Sequence, residues 1–153
     1  MAEARTAGEP KLYFPFLRSF YDAVTPLAWP IVRIAVGWNL TVHGWEKVMA
    51  GPAAIGAGFG KMGFHAPFFL AVLITCIEFV GGLCIMAGFF TRFFAAAIAI
   101  ELGYITLIIF GPNGFDASKR GYEYPLMWGA IFFAIALRGG GPYSLDRRIN
   151  REL

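Results

Sequence analysis

Residues 66–90 read APFFLAVLITCIEFVGGLCIMAGFF. The run is apolar and long enough to cross a bilayer, for which about 20 residues suffice. One carboxylate, Glu78, stands near its midpoint, and the small pair Gly81 and Gly82 follows it. A charge at that depth costs roughly 2.5–3.5 kcal/mol on insertion scales, so it survives only beside a partner or in a water-lined pocket. What surrounds Glu78 is therefore the question that orders the rest of the chain.

The composition agrees with a bilayer as solvent. Of 153 residues, 58% are hydrophobic and 15% charged, whereas a soluble domain of this size carries nearer 25% charge. The length suits one domain. The formal charge of +3 comes mostly from the chain ends, which suits a membrane surface and not nucleic acid. Cys76 and Cys84 are about 12 Å apart along one apolar helix, too far for a disulfide, and they read as small apolar fillers. No CxxC pair or Cys/His cluster points to a metal. Nucleophilic triads and phosphate loops are absent, so no residue is assigned a catalytic role.

Outward from the central run, four spans are expected. Residues 1–10 are polar and expected to be disordered. Lys11 to Val24 is aromatic but carries Lys11, Arg18 and Asp22, as a segment lying among headgroups does. No cleavable signal is apparent. The first span, Leu27 to about Lys47, is unusually polar. Arg33, Gly37 and Gly44 share one helical face, and Asn39 and His43 form a second stripe. Gly44 is a candidate for the end of this span. Val48 to His65 reads as a Gly- and Ala-rich connection. Its GxGxxG, Gly58 to Gly63, follows no strand and is not a dinucleotide loop. The second span ends at Gly88 in a tight turn. Phe93 to Gly111 is the third span, with Ala95, Ala99 and Gly103 as a small-residue ridge and Glu101 near its centre. After a polar loop, Tyr122 to Leu137 forms a short fourth span, with Glu123 in its first turn where the helix dipole favours an anion. Gly139 to Pro142 stops it.

These readings give an all-α integral membrane four-helix bundle with short interfacial segments. A cytoplasmic tail and interfacial segment (1–25) precede the transmembrane domain (26–138), and a basic cytoplasmic tail (139–153) follows it. Four spans put both termini on one side. There Arg5, Lys11, Arg18, Arg92, Arg138, Arg147, Arg148 and Arg151 outnumber Lys47, Lys61, Lys119 and Arg120 opposite. The positive-inside rule then places both termini in the cytoplasm.

Arg33, Asn39, His43, Lys47, Glu78, Glu101 and Glu123 are the candidate ligand-binding or proton-relay residues, and Tyr104 could join them. Arg33 is the first-choice partner for Glu78, because an Arg–carboxylate pair is the cheapest way to hold that charge in lipid. His43, Lys47 and Glu123 are expected to gather at the outer interface under a lid formed by residues 51–63. Two readings stay open: ion pairs that only set helix register, or a pocket for a quinone-like or other amphiphilic ligand with proton exchange. Haem is disfavoured, because His43 and His65 flank a loop and do not face each other across helices.

Several of these residues, in order, resemble the DoxX family of small bacterial and archaeal membrane proteins. They are Arg33-x3-Gly37, His43-Gly44-x2-Lys47, Gly63, Glu78-x2-Gly81-Gly82, Gly88-x3-Arg92, Glu123, and Gly139-x-Gly141-Pro142-Tyr143-Ser144-Leu145-Asp146. The likeness covers roughly Trp29 to Asp146. The resemblance implies a four-helix membrane bundle in the cell inner membrane. It also implies an association with redox systems, the namesake accompanying a thiosulfate:quinone oxidoreductase or terminal quinol oxidase. The expected function is thus an accessory subunit of a quinone-linked membrane redox complex, with no intrinsic cofactor and quinone as the expected ligand. A carrier for a small amphiphile or proton, and a structural subunit of a larger assembly or homo-oligomer, are the alternatives. The family's polar signature falls on Arg33, His43, Lys47, Glu78, Arg92 and Glu123. Glu101 lies outside it.

Overall fold

The computed structural model describes residues 11–152. Expectations for residues 1–10, Arg5 in the charge count included, lie outside them. Among the described residues the chain is helical without a strand. Helix α1 is Arg18–Ala50, α2 Pro52–Lys61, α3 Pro67–Ala87, α4 Thr91–Tyr104, α5 Glu123–Arg138 and α6 Leu145–Arg148. A π-helical turn, Ile105–Ile109, continues α4.

Among the described residues two helices are long and apolar enough to span a bilayer: α3, and α4 with its π turn. Helix α1 has the length, about 50 Å at 1.5 Å per residue, but its polar residues lower its hydropathy. Helix α5, with 16 residues, falls short of the usual 20. The outer surface nevertheless suits lipid. Ile100 is 75% exposed and Leu107 74%, and Trp38, Phe69, Phe93 and Phe133 are also largely uncovered.

Helix α1 starts earlier and ends later than the sequence suggests. Pro26 and Pro30 lie inside it, which neighbouring helices make tolerable in a membrane. The stretch from Arg18 to Val24, expected as a separate interfacial segment, forms its first turns. Gly44 does not end it. The break comes at Gly51, whose φ of 79° favours glycine, and Pro52 then opens α2 at the position proline prefers. The expected connection between the first two spans is therefore largely a helix, and α2 packs along α3.

The core forms where α1 meets α3 and α4 meets α5. Pro30, Arg33, Val36, Gly37, Leu40, Thr41 and Gly44 are buried at three- and four-residue spacings, the stripe of a helix that buries one face. Facing them on α3 are Glu78, Gly81, Gly82 and Ile85. The two backbones touch. A Cβ on Gly82 would lie 2.8 Å from the Gly37 carbonyl oxygen, and one on Gly44 2.6 Å from the Phe79 Cα. The α4 ridge packs only at one end: Ala95 is fully buried, but nothing lies within 4 Å of a Cβ built on Gly103.

One end of the bundle is closed by a clasp. After Arg138 the chain, expected as a basic tail, folds back under α1, α3 and α4. The buried Arg33 donates from Nη1 to the Gly140 carbonyl, from Nη2 to Tyr143 O at 3.1 Å and from Nε to Met86 O at 3.4 Å. Trp29 Nε1 donates to Gly139 O at 2.9 Å. The Asp146 carboxylate accepts from the Phe90 and Thr91 amides at 2.8 and 2.9 Å, so a residue distant in sequence caps α4. Arg92 donates to the last carbonyls of α5, Ala136 O at 3.0 Å and Leu137 O at 2.6 Å. An N-cap carboxylate contributes about 1–2 kcal/mol. Asp146→Ala is accordingly expected to lower stability by about 2 kcal/mol in a detergent-unfolding titration, with Asp146→Asn losing less.

Candidate functional site

Away from the clasp, the helices diverge around a cavity of about 970 Å³. It takes residues from α1 to α5, and its walls are mostly apolar: Leu70 and Ile74 from α3, Leu102 and Ile105 from α4 and its π turn, Trp128 and Phe132 from α5. The π turn adds width beside the cavity. Such turns recur at functional sites because the extra residue bends and opens the helix. The segment joining α2 to α3 closes another side. Phe59 and Phe64 meet edge to face with ring centroids 5.6 Å apart, and Phe64 reaches Tyr104 of α4 at 5.9 Å.

Five of the seven sequence candidates line this cavity: Asn39, His43, Lys47, Glu78 and Glu101. Asn39, His43 and Lys47 follow one another at four-residue intervals on α1. Lys47 Nζ donates to Glu78 Oε2 at 2.5 Å, with the two side chains 25% and 8% exposed. Glu101, from α4, lines the same cavity as Glu78. Glu101 Oε2 is buried and has no hydrogen-bond partner. His43 stands at the edge, its side chain 59% exposed and its Nδ1 4.0 Å from Glu46 Oε2.

Two candidates are elsewhere. Arg33 is not the partner of Glu78, since all of its hydrogen bonds go to backbone carbonyls in the clasp. Helix register explains the exchange. Gly37 sits against Gly82 and Met86, and Gly44 against Phe79, so α1 and α3 run antiparallel with Arg33 beside the end of α3 and Lys47 level with Glu78. Glu123 does not join His43 and Lys47. It holds the loop before α5, accepting from the Ala117 amide at 3.3 Å. Its neighbours Tyr124 and Pro125 line the cavity instead. Those two, with Trp128 and Phe59, were not singled out in the sequence. In a chain rich in aromatics on every face, no periodicity separates a pocket wall from a lipid-facing residue.

The arrangement has defined chemistry. Lys47 and Glu78 neutralise each other in a low-dielectric setting, and Glu101 adds a second acid with no cation of its own. The cluster can hold a proton or a polar head group, and the apolar walls can hold a hydrocarbon body.

A family model described as DoxX matches residues 28–111, a span that contains Lys47, Glu78 and Glu101. An uncharacterized protein of Haemophilus influenzae is 29% identical over 79% of this chain and 90% of its own length. Inner membrane protein YqjF of Escherichia coli is 28% identical over 84% of this chain and 92% of its own. Uncharacterized membrane protein Rv3486 of Mycobacterium tuberculosis is 30% identical, covering 79% and 80% respectively. No solved structure matches the chain.

Proposed function

The chain belongs to the DoxX family of membrane proteins, and from that premise we propose that it binds an amphiphilic small molecule inside the bilayer. The polar end of the ligand sits at Lys47, Glu78 and Glu101, and its apolar body lies along the walls from α3, α4 and α5. The observation that carries this reading is the convergence of an ion pair, Lys47 with Glu78, and a second acid, Glu101, on one large apolar cavity. Register alone would need the pair and not the space. The volume falls within the roughly 300–1,000 Å³ range of small-molecule sites, which combine apolar walls with a few placed polar groups.

In this reading α1, α3, α4 and α5 all cross the inner membrane. Helix α5, about 24 Å long, ends within the headgroup layers, and the termini lie in the cytoplasm by the charge count. A quinone is one amphiphile of suitable shape. Service beside a quinone-linked oxidoreductase is the setting suggested by the family resemblance, and nothing in the cavity itself requires a partner subunit.

The test is extraction and mass spectrometry of small molecules from protein purified in native lipid discs. Wild type is compared with a double variant, Lys47→Met with Glu78→Met. Replacing a buried pair by apolar residues of similar size is about neutral for folding, so the variant keeps its helices while losing the polar end of the site. Wild type is expected to retain one class of amphiphile near one per chain, and the variant about tenfold less. Identical bulk-lipid profiles from both would overturn the reading.

A further inference from the structure

The first turns of α1 lie outside the bundle, with an apolar face that nothing covers among the described residues. Trp29 is level with the end of α5 and Arg33 with the end of α3, through their bonds to Gly139 O and Met86 O. The stretch from Arg18 to Ala28 therefore extends about 16 Å past the plane in which the spans end. None of its residues is buried. At about 100° per residue, Phe20, Tyr21, Val24, Leu27 and Ala28 fall within an arc of about 120°, and Arg18, Ser19, Asp22 and Thr25 occupy the opposite arc. Phe20 is 58% exposed and Leu27 45%. A one-sided helix with a bare aromatic face is covered by a partner or by lipid.

Charge at the same end of the molecule favours lipid. Arg138, Arg147, Arg148 and Arg151 are exposed there. The carboxylates of that stretch are already engaged, Asp146 by the Phe90 and Thr91 amides and Glu152 by Arg92 and the Gly140 amide. Tyr143, Leu145 and Ile149 stand exposed among the arginines. The clasp thus sets a positive, partly apolar surface in the plane where α3, α4 and α5 end, which in a membrane protein of this family is the headgroup layer. A second copy docked face to face here would set its arginines against these, whereas anionic head groups would neutralise them.

We infer that Arg18–Ala28 lies along the anionic surface of the bilayer as an in-plane anchor. Its apolar arc sits in the acyl boundary, and the arginines of the 138–151 stretch face phospholipid phosphates beside it. Pro26 and Pro30, both inside α1, supply the bend, since each removes an amide donor and prolines are where long helices kink. The anchor is independent of the cavity and of its ligand.

The test is spin labelling of the full-length protein at one site at a time, in nanodiscs containing phosphatidylglycerol and with Cys76→Ala and Cys84→Ala as background. The sites are Phe20, Tyr21 and Val24 on one arc and Ser19, Asp22 and Thr25 on the other. Collision of each label with oxygen, which concentrates in lipid, is compared with collision with a water-soluble nickel chelate. Positions 20, 21 and 24 are expected to favour oxygen at least about threefold more than positions 19, 22 and 25. Arg147→Gln, Arg148→Gln and Arg151→Gln together are expected to lower that contrast at least about twofold in these discs and to leave it unchanged in pure phosphatidylcholine. Nickel access at all positions, or a contrast that follows position along the helix instead of its face, would overturn the anchor. Spin–spin broadening between copies at 20, 21 and 24 would assign the face to a second chain and overturn it equally. The same contrast in wild type and in the arginine variant would overturn the anionic-lipid assignment.

Discussion

Arg33→Ala is expected to destabilise the protein by about 3–5 kcal/mol, because buried carbonyls that lose their donor cost about 1–3 kcal/mol each and the truncated side chain leaves a cavity. Arg33 is 2% exposed and is the only described side chain that joins α1 to the end of α3 and to the returning 140–143 segment at once. Without it the Gly140 and Tyr143 carbonyls lose their donor, and a cavity opens beside Gly88. Arg33→Lys is expected to recover little. A single ammonium cannot serve three carbonyls spread around a planar guanidinium. The measurement is the unfolding midpoint in mixed detergent micelles, with recovery of monodisperse protein as a second readout. A loss below about 1 kcal/mol would contradict the role assigned to the clasp.

Gly44→Leu is the second large effect, expected to exceed about 3 kcal/mol. Its Cβ would lie 2.6 Å from the Phe79 Cα and 2.8 Å from the Glu78 carbonyl carbon. These are backbone atoms, which cannot swing aside as a side chain can. Overpacking a core costs about 1–3 kcal/mol, more where the backbone must move. The same shift would pull Lys47, one turn on, away from Glu78. Gly103→Ala serves as the control, since a Cβ there meets nothing within 4 Å. It is expected to leave stability unchanged or raise it by up to about 1 kcal/mol, the helix-propensity gain of alanine over glycine. Spin labels on α1 and α3 would report the separation directly. Wild-type distances in Gly44→Leu would contradict the backbone contact.

These two residues show what could be read from the chain alone. The sequence reading places Gly37 and Gly44 on one face and marks Gly81 and Gly82 as a small pair, but it assigns close approach to Ala95, Ala99 and Gly103; the backbone contact forms instead where α1 crosses α3. That Glu78 needs a partner followed from the cost of its charge, but the partner's identity did not. Choosing between Arg33 and Lys47 needs the axial offset of two helices, and that depends on where α1 ends. Ending it near Lys47 placed the lysine at the bilayer surface; continuing it to Ala50 brings the lysine level with Glu78. The missed ending has a local cause. Pro52 restarts a helix at once, and the glycines of α2 disguise it as a loop. The clasp was legible only as a motif, because nothing local tells Asp146 that it will cap α4 from the far side of α5. Glu123 illustrates the converse: a carboxylate in a first helical turn looks like a site residue and serves the preceding loop.

The resemblance to DoxX proteins gathers both ends of the molecule into one signature, and the structure separates them by physics. Arg33, Gly88, Arg92 and the 139–146 segment hold backbone to backbone at one end. Lys47 and Glu78, with Glu101 beside them, face open space at the other. Substitutions at the first group are expected to act through stability, and those at the second through ligand occupancy.

The central claim is that the cavity is a binding site whose polar end is Lys47, Glu78 and Glu101. The most direct measurement is a crystal structure of protein purified in native lipid discs and crystallised from a lipid phase, without added ligand. The account predicts density for a small molecule along Trp128 and Ile74, with a polar atom within about 3.2 Å of the Lys47 ammonium or of a Glu78 or Glu101 carboxyl oxygen. A cavity collapsed onto itself, or one filled by acyl chains with no polar atom near these three side chains, would contradict it.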